Sequence, residues 1–238
     1  MTTNEHLVPD PLDEVFRQIC AMEAPLNERL ALYSSALRTH AVAYADAYDE
    51  LVTRLKATQA GLHAPDVGGF MPFFSLPDVN YKIHSLEEML GRGPVVVSLN
   101  RGHWCPYCMT ELNALKQALT EISAAGAQVV SIMPEMREFT QQVANETGHA
   151  FPILTDENNG YALTLNLVIW VGDSVRDLFI ADGLQLEYCQ GNASWFVPIP
   201  ATFVVGSDGR IIARLVDPDF RRRMDIDEII RALRQARM

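Results

Sequence analysis

Two cysteines separated by two residues, Cys105 and Cys108, are the residues best suited to chemistry in this sequence. They follow the apolar run Val95–Leu99, which is typical of a strand buried on both faces. Pro106 suits the first position of a following helix because it lacks an N–H group. The start of a helix favours a thiolate, the reactive form of cysteine, and a cysteine one turn further on can reach it. The spacing therefore predicts a reversible disulfide.

The same spacing also occurs in zinc sites, which normally have four ligands. The other cysteines, Cys20 and Cys189, are isolated in the sequence, and His103 is too close to the pair to coordinate without strain. We therefore expect no metal and no cofactor beyond the redox-active pair. Cys20 and Cys189 are expected to be spare, since free cysteines are often simply buried.

A second feature is the run 197–200, which ends in Ile199 and Pro200 just before the predicted strand 201–205. A proline is tolerated at the start of a strand, because the first residue need not donate to the ladder. A cis Ile199–Pro200 bond would make a tight turn. We expect this cis form, with Pro200 lying against the cysteine pair.

Composition excludes several classes of protein. The chain has 238 residues, is 48% hydrophobic and has a net charge of −11, so it lacks the basic character of a nucleic-acid-binding protein. Its basic cluster Arg221–Arg223 is expected to be a solvated patch beside acidic neighbours. No stretch is long and apolar enough to span a bilayer, and residues 1–6 do not resemble a secretion signal. The expected compartment is the cytoplasm.

The first 61 residues are predicted to be helical, and 62–69 to be a linker to a domain at 65–238. An apolar stripe with alternating spacings of four and three comprises Leu26, Leu30, Tyr33, Leu37, His40 and Tyr44. Two interpretations stay open. Either a helix or helix pair packs on its own domain, or the segment is the interface of a homodimer.

The rest of the chain alternates strand and helix patterns, as α/β proteins do. The predicted strands are 95–99, 127–133, 151–154, 200–205 and 210–216. The predicted helices are 106–126, 136–147, 159–167, 173–181 and an amphipathic last helix capped by Asp225 or Asp227.

Three segments resemble the thioredoxin fold: Val95–Leu99, Trp104–Cys108 and Pro200–Gly209. The resemblance covers about residues 65–236. It implies an α/β, thioredoxin-like three-layer fold, with a central mixed sheet and helices on both faces, preceded by the helical N-terminal segment. The layout resembles the alkyl hydroperoxide reductase/thiol-specific antioxidant (AhpC/TSA) family, and Arg101–Cys108 resembles the motif of its peroxiredoxin-like branch.

In that family the peroxidatic cysteine ends the pattern Pro-x-x-x-Thr-x-x-Cys, often with a Glu three residues later. Cys108 and Glu111 fall at these positions, but Arg101 stands at the Pro position and Cys105 at the Thr position. An Arg that peroxiredoxins place two residues before the Thr-Phe of the late strand is replaced by Pro200.

The resemblance implies a thiol peroxidase for hydrogen peroxide or organic hydroperoxides. Cys108 would form a sulfenic acid, Cys105 would condense with it, and a thioredoxin- or glutaredoxin-type dithiol would reduce the disulfide. The expected supporting residues are Arg101, His103, Trp104, Pro106, Tyr107, Glu111, Trp195 and Pro200. Arg101 either supplies positive charge or forms a surface salt bridge, and the aromatic residues either line the site or simply pack.

Two other functions compete with this one. The Cys-Pro-Tyr-Cys sequence resembles that of glutaredoxins, in which the first cysteine attacks, so Cys105 would be the nucleophile of a protein-disulfide oxidoreductase. A non-enzymatic redox sensor, whose helical arm binds a partner, is supported by the apolar stripe alone. We favour the peroxidase because the overall layout and the spacing from Cys108 to Glu111 fit it.

Overall fold

A computed structural model describes residues 10–236, so the first nine residues of the predicted helical segment lie outside the described range. The helices are α1 (Asp10–Ala21), α2 (Leu26–His40), α3 (Val42–Ala57), α4 (Leu86–Leu90), α5 (Pro106–Gln117), α6 (Leu119–Ala124), α7 (Arg137–Glu146), α8 (Gly160–Thr164), α9 (Asp173–Ala181), α10 (Leu186–Gln190) and α11 (Ile226–Gln235). Within residues 10–236, none of them has both the length and the apolar character needed to cross a membrane.

The strands are β1 (Ser75–Pro77), β2 (Ile83–Ser85), β3 (Val95–Leu99), β4 (Gln128–Met133), β5 (Ile153–Thr155), β6 (Val168–Trp170), β7 (Phe196–Pro198), β8 (Ala201–Val205) and β9 (Ile211–Val216). Five of these strands form a central mixed sheet in the order β5-β4-β3-β8-β9. β3, β4 and β5 are parallel, and the hairpin β8–β9 joins β3 through an antiparallel β8. All five predicted strands therefore lie in this sheet, and β3 is fully buried at its centre.

Buried side chains form one cluster on each face of the sheet. Because side chains alternate along a strand, Val96 belongs to one cluster and Val95 and Val97 to the other. The first cluster contains side chains of α1, α2, α3, α5, α9 and α11, and the second contains those of α4 and α8. This arrangement confirms the expected thioredoxin-like three-layer fold preceded by N-terminal helices.

The apolar stripe of the N-terminal helices packs within the chain. Leu26, Leu30, Tyr33 and Leu37 of α2 are buried in the same core as α5, whereas His40 is exposed. The stripe continues through α3, which starts after a break at Ala41. This packing favours the first of the two interpretations, and the expected homodimer would have to use another surface.

Two predicted helix features differ in the structure. The predicted helix 106–126 is divided into α5 and α6 at Ala118, where the backbone leaves helical values (φ −87°, ψ 0°). Asp225 precedes α11, but its side chain makes no capping hydrogen bond there. Its Oδ1 instead accepts a hydrogen bond from the backbone N–H of Asn27 (3.2 Å), which joins the C-terminal loop to the start of α2.

Candidate active site

The cysteine pair lies where β3 leads into α5. Cys105 is the residue before the helix, in an extended conformation, and Pro106 and Cys108 belong to its first turn. Both thiols are free, and both cysteines are completely buried. The local sequence explains this position, since the chain leaves a buried strand and enters a helix whose first residue needs no N–H partner.

Arg101 turns inward and contacts both sulfurs. Its Nη2 lies 3.2 Å from Cys105 Sγ, and its backbone N–H donates to Cys108 Sγ over 3.5 Å. The guanidinium also lies over the Phe220 ring, 3.7 Å from the centroid. With 2% of its surface exposed, Arg101 is not a surface salt-bridge residue and supplies positive charge to the pair.

The expectation that Arg221–Arg223 form a solvated patch is wrong for Arg223, which is buried. Arg221 and Arg222 do pair with acidic side chains at the surface, but Arg223 is 1% exposed. Its Nη2 lies 3.5 Å from Cys108 Sγ. Asn27 holds this loop, donating from Nδ2 to the Arg223 carbonyl (2.7 Å) and accepting from its N–H (3.1 Å). Nothing in the local sequence separates Arg223 from its two neighbours, because contacts with a distant helix turn it inward.

Glu111 connects the cysteine pair to the sheet. Its Oε2 accepts from Arg223 Nε (2.8 Å), while Oε1 accepts from Thr202 Oγ1 (2.7 Å) and Ser98 Oγ (3.2 Å). Burial raises the pKa of this carboxyl, against the opposing effects of Arg223 and Thr202. The carboxylate therefore positions the guanidinium that contacts Cys108.

The two thiols titrate as one unit. Burial tends to raise the pKa of Cys105, but a hydrogen bond from Cys108 and the charges of Arg101 and Arg223 outweigh it, so this pKa is lowered. Burial, together with the hydrogen bond and negative charge of Cys105, raises the pKa of Cys108 well above its ordinary value. The buried arginines therefore favour the thiolate at Cys105, whereas Cys108 favours its protonated form.

A narrow apolar cavity lies between the N-terminal helices and the two residues that flank Cys105 in the sequence. It is lined by Tyr33, Leu37, Tyr44, Tyr48, Trp104, Pro106, Phe179 and Leu184. Trp104 and Pro106 form one wall of this cavity. Tyr107 donates to or accepts from Ser34 Oγ of α2 (3.0 Å) instead of lining the cavity. Sequence reasoning missed the tyrosines of α2 and α3 as site residues, because their apolar spacing indicated only packing.

Two expected residues have partners away from the sulfurs. The backbone N–H and ring Nδ1 of His103 bond the two carboxylate oxygens of Glu135, at 2.8 and 2.7 Å. The indole of Trp195 donates to Glu187 Oε1 over 3.2 Å, and Trp195 does not line the cavity beside the pair.

The expected cis bond before Pro200 is wrong, since residues 10–236 contain no cis peptide. β7 pairs with β6, and the Ile199 N–H then donates to the Leu167 carbonyl over 2.6 Å. These bonds hold the chain extended as it enters β8, so no tight turn is needed. Pro200 is buried and directly precedes β8, which pairs with β3 at Leu99.

Comparison with known proteins agrees with this fold. Residues 67–214 match the AhpC/TSA family. The Mycobacterium tuberculosis protein named "Putative peroxiredoxin Rv2521" is 27% identical over 145 residues, which cover 61% of this chain and 81% of that protein. The chain therefore belongs to the AhpC/TSA family, since the match spans more than half of its length.

Solved structures show the same fold. Peroxidoxin BcpB from Mycobacterium tuberculosis has a TM-score of 0.56 at 19% identity, covering 72% of this chain and 97% of that one. A mutant of peroxiredoxin 6 of Arenicola marina has a TM-score of 0.54 at 17% identity, covering 71% and 72%. Helices α1–α3, Phe220 and Arg223 lie outside residues 67–214, so part of this site is formed by segments beyond the family match.

Proposed function

We propose that this chain is a thiol peroxidase that reduces hydrogen peroxide or small organic hydroperoxides at Cys105 and Cys108. The observation that supports this most is a buried pair of thiols with a guanidinium within 3.5 Å of each sulfur. Guanidinium groups stabilise a thiolate and also the charge that develops on a departing oxygen. Membership of the AhpC/TSA family supports a peroxide as the substrate.

In the proposed reaction the Cys108 proton first passes to Cys105, and the resulting Cys108 thiolate attacks the terminal peroxide oxygen. The O–O bond breaks and Cys108 becomes a sulfenic acid. Cys105 gives its proton to the leaving oxygen, so that an alcohol or water departs. The Cys105 thiolate then attacks the Cys108 sulfur, forming the disulfide and releasing hydroxide, which takes a proton from solvent. The lowered pKa of Cys105 suits it to both of its steps.

The two arginines and Glu111 have distinct proposed roles. Arg223 supplies, from the C-terminal loop, the positive charge that the family pattern would have at the position of Pro200. Arg101 stabilises Cys105 as a thiolate after it has lost its proton. Glu111 holds Arg223 in place, since its carboxylate accepts from Arg223 Nε at 2.8 Å.

Burial of the pair favours a small oxidant. Neither cysteine is exposed, and the bordering cavity is narrow and lined by aromatic and aliphatic side chains. Recycling by a dithiol donor of the thioredoxin or glutaredoxin type requires a sulfur to become accessible, because exchange needs direct attack on the disulfide. We propose that α2 and α3 move away for this step, and that the cytoplasm supplies the donor.

A second candidate function is disulfide exchange with Cys105 as the nucleophile. The lowered pKa of Cys105 and its position before α5 favour it. The complete burial of Cys105 disfavours it as the first step, because α2 and α3 would have to move before any protein disulfide could reach the sulfur.

The test is the second-order rate of peroxide consumption by the reduced protein and by its Cys105→Ser and Cys108→Ser variants. We expect the protein to react rapidly and Cys105→Ser to react more slowly, because serine is a weaker acid than the thiol it replaces, but still to stop at one sulfenic acid. We expect Cys108→Ser to be inactive. If all three react no faster than a free thiol, the peroxidase proposal fails. If Cys108→Ser alone stays reactive towards a disulfide, the exchange mechanism at Cys105 replaces it.

A further inference from the structure

A second group of reactive side chains lies at the same edge of the sheet as the cysteine pair. His103 follows β3, Glu135 follows β4, and Cys189 lies in α10. The carboxyl ends of neighbouring parallel strands meet at one edge, which brings His103 and Glu135 together. One nitrogen, oxygen or sulfur atom of each residue lies within 4.8 Å of the other two. We propose that these three residues form a zinc site.

The donor set is the first support for this proposal. An imidazole nitrogen, a carboxylate oxygen and a thiolate sulfur are all ligands that zinc accepts, and three protein ligands leave the fourth position open. Residues from three separate segments form the set, so it could not be recognised from spacing in the sequence. The expectation of no metal depended on Cys20 and Cys189 being isolated in the sequence, which does not exclude a ligand set formed by distant segments.

The charge around Cys189 is the second support. Glu135 is completely buried, and within residues 10–236 no lysine or arginine forms an ion pair with it. A buried carboxylate beside a thiol, without a guanidinium to neutralise it, is an environment that a divalent cation would stabilise.

The backbone holds the three residues in place before any ion arrives. Gly102 has φ +148°, and a Cβ there would lie 2.5 Å from Glu135 Oε1, so only glycine lets this loop approach the carboxylate. The Met136 N–H donates to the Cys189 carbonyl over 2.8 Å and ties α10 to the loop after β4. The His103 ring stacks on Phe139 with centroids 4.8 Å apart.

Gln190 follows Cys189 in α10 and adds a buried amide next to the cluster. It is 2% exposed, and within the described residues neither its Oε1 nor its Nε2 has a hydrogen-bond partner. Gln190 and Glu135 line one cavity, so polar groups face the Glu135 carboxylate from that side.

The distances allow zinc after small side-chain adjustments. In tetrahedral zinc sites the ligand atoms lie about 3.4 to 3.6 Å from one another. The hydrogen bond of 2.7 Å from His103 Nδ1 to Glu135 Oε1 would have to lengthen, and the thiol of Cys189 would have to move closer. Binding would replace the thiol proton of Cys189 and release it to solvent.

The experiment uses cobalt as a spectroscopic probe in a chain that lacks the redox pair. The host is the reduced Cys105→Ser/Cys108→Ser double variant, so the result does not depend on peroxidase activity. We expect cobalt to give a thiolate-to-metal charge-transfer absorption that saturates at one ion per chain and is removed by zinc. Adding Cys189→Ser should abolish it, whereas adding Cys20→Ser, the matched control, should leave it unchanged.

Two further measurements complete the test. Glu135→Gln should weaken cobalt binding at least about tenfold, since even outer-shell partners of metal ligands cost about 10–100-fold. Zinc should slow alkylation of Cys189 but not of Cys20 in the host itself, which needs no further variant to fold. No cobalt absorption in the host, an absorption that survives Cys189→Ser, or equal alkylation rates with and without zinc would each overturn the proposal.

Discussion

Two groups of buried cysteines at one edge of the sheet differ in the sign of the charge on the side chains around them. Cys105 and Cys108 lie beside two buried arginines, whereas Cys189 lies beside the buried carboxylate of Glu135. Burial alone tends to raise the pKa of a thiol in both places. The arginines reverse this tendency at Cys105, and the carboxylates reinforce it at Cys189.

The comparison shows that burial does not decide the chemistry of a cysteine. The pair has the charge balance of a nucleophile, because its thiolate is stabilised without any added ion. Cys189 has negative rather than positive charge beside it, so its thiol stays protonated unless a cation replaces the proton. The predictions below test the two sides of this difference.

The largest expected effect comes from removing the charge that faces Cys108. Arg223→Met should lower the second-order rate of peroxide consumption by about 10²–10³-fold, as the loss of one transition-state donor does elsewhere. Arg222→Met is the control, because that neighbouring side chain is exposed and pairs with Asp217. Equal losses in the two variants would mean that net charge, not the contact with Cys108, controls the rate.

A large effect on stability should follow from Glu111→Gln. The change leaves Arg223 buried without its carboxylate partner, which typically costs about 3–5 kcal/mol of unfolding free energy. Urea unfolding of the reduced protein measures this. Glu121→Gln, which breaks an exposed pair with Arg234, should cost less than about 1 kcal/mol. Comparable losses would show that the buried network contributes no more than a surface pair.

The pH dependence separates the two cysteine environments directly. Because the pKa of Cys105 is lowered, a thiolate should appear in the folded protein below the ordinary thiol value of about 8.5 and persist at higher pH. The peroxide rate should rise with pH through this step and then level off. Ultraviolet thiolate absorbance should lose the step in Cys105→Ser and retain it in Cys189→Ser. A step that depends on Cys189 would reverse the assignment.

The smallest expected effect concerns the contact between α5 and α2. Tyr107→Phe removes the hydroxyl that bonds Ser34 Oγ at 3.0 Å and should cost about 1 kcal/mol of unfolding free energy. Tyr81→Phe, at an exposed tyrosine, is the matched control and should change stability by less than about 0.5 kcal/mol. Thermal unfolding measures the stability of both variants. If Tyr107→Phe loses no more unfolding free energy than Tyr81→Phe, the hydrogen bond between Tyr107 and Ser34 does not stabilise the protein.

Much of the fold was predictable because its signals are local. Val95–Leu99 is apolar at every position, as a strand buried on both faces must be, and it became the centre of the sheet. The cysteine spacing and Pro106 also form a local signal, and they predicted the position of the pair at the start of α5. Helix ends were less predictable, as at Ala118, since no residue there marks a break.

The sequence by itself determined the fold class, the cysteine pair and its resemblance to a thiol peroxidase family. Only the tertiary structure decided that Arg223 faces Cys108, that the bond before Pro200 is trans, and that Glu135 and Cys189 meet at His103. These outcomes depend on contacts between distant segments, such as Asn27 with the loop of Arg223. Local patterns report which residues are buried, but the direction of a buried charged side chain depends on the partner that the fold brings to it.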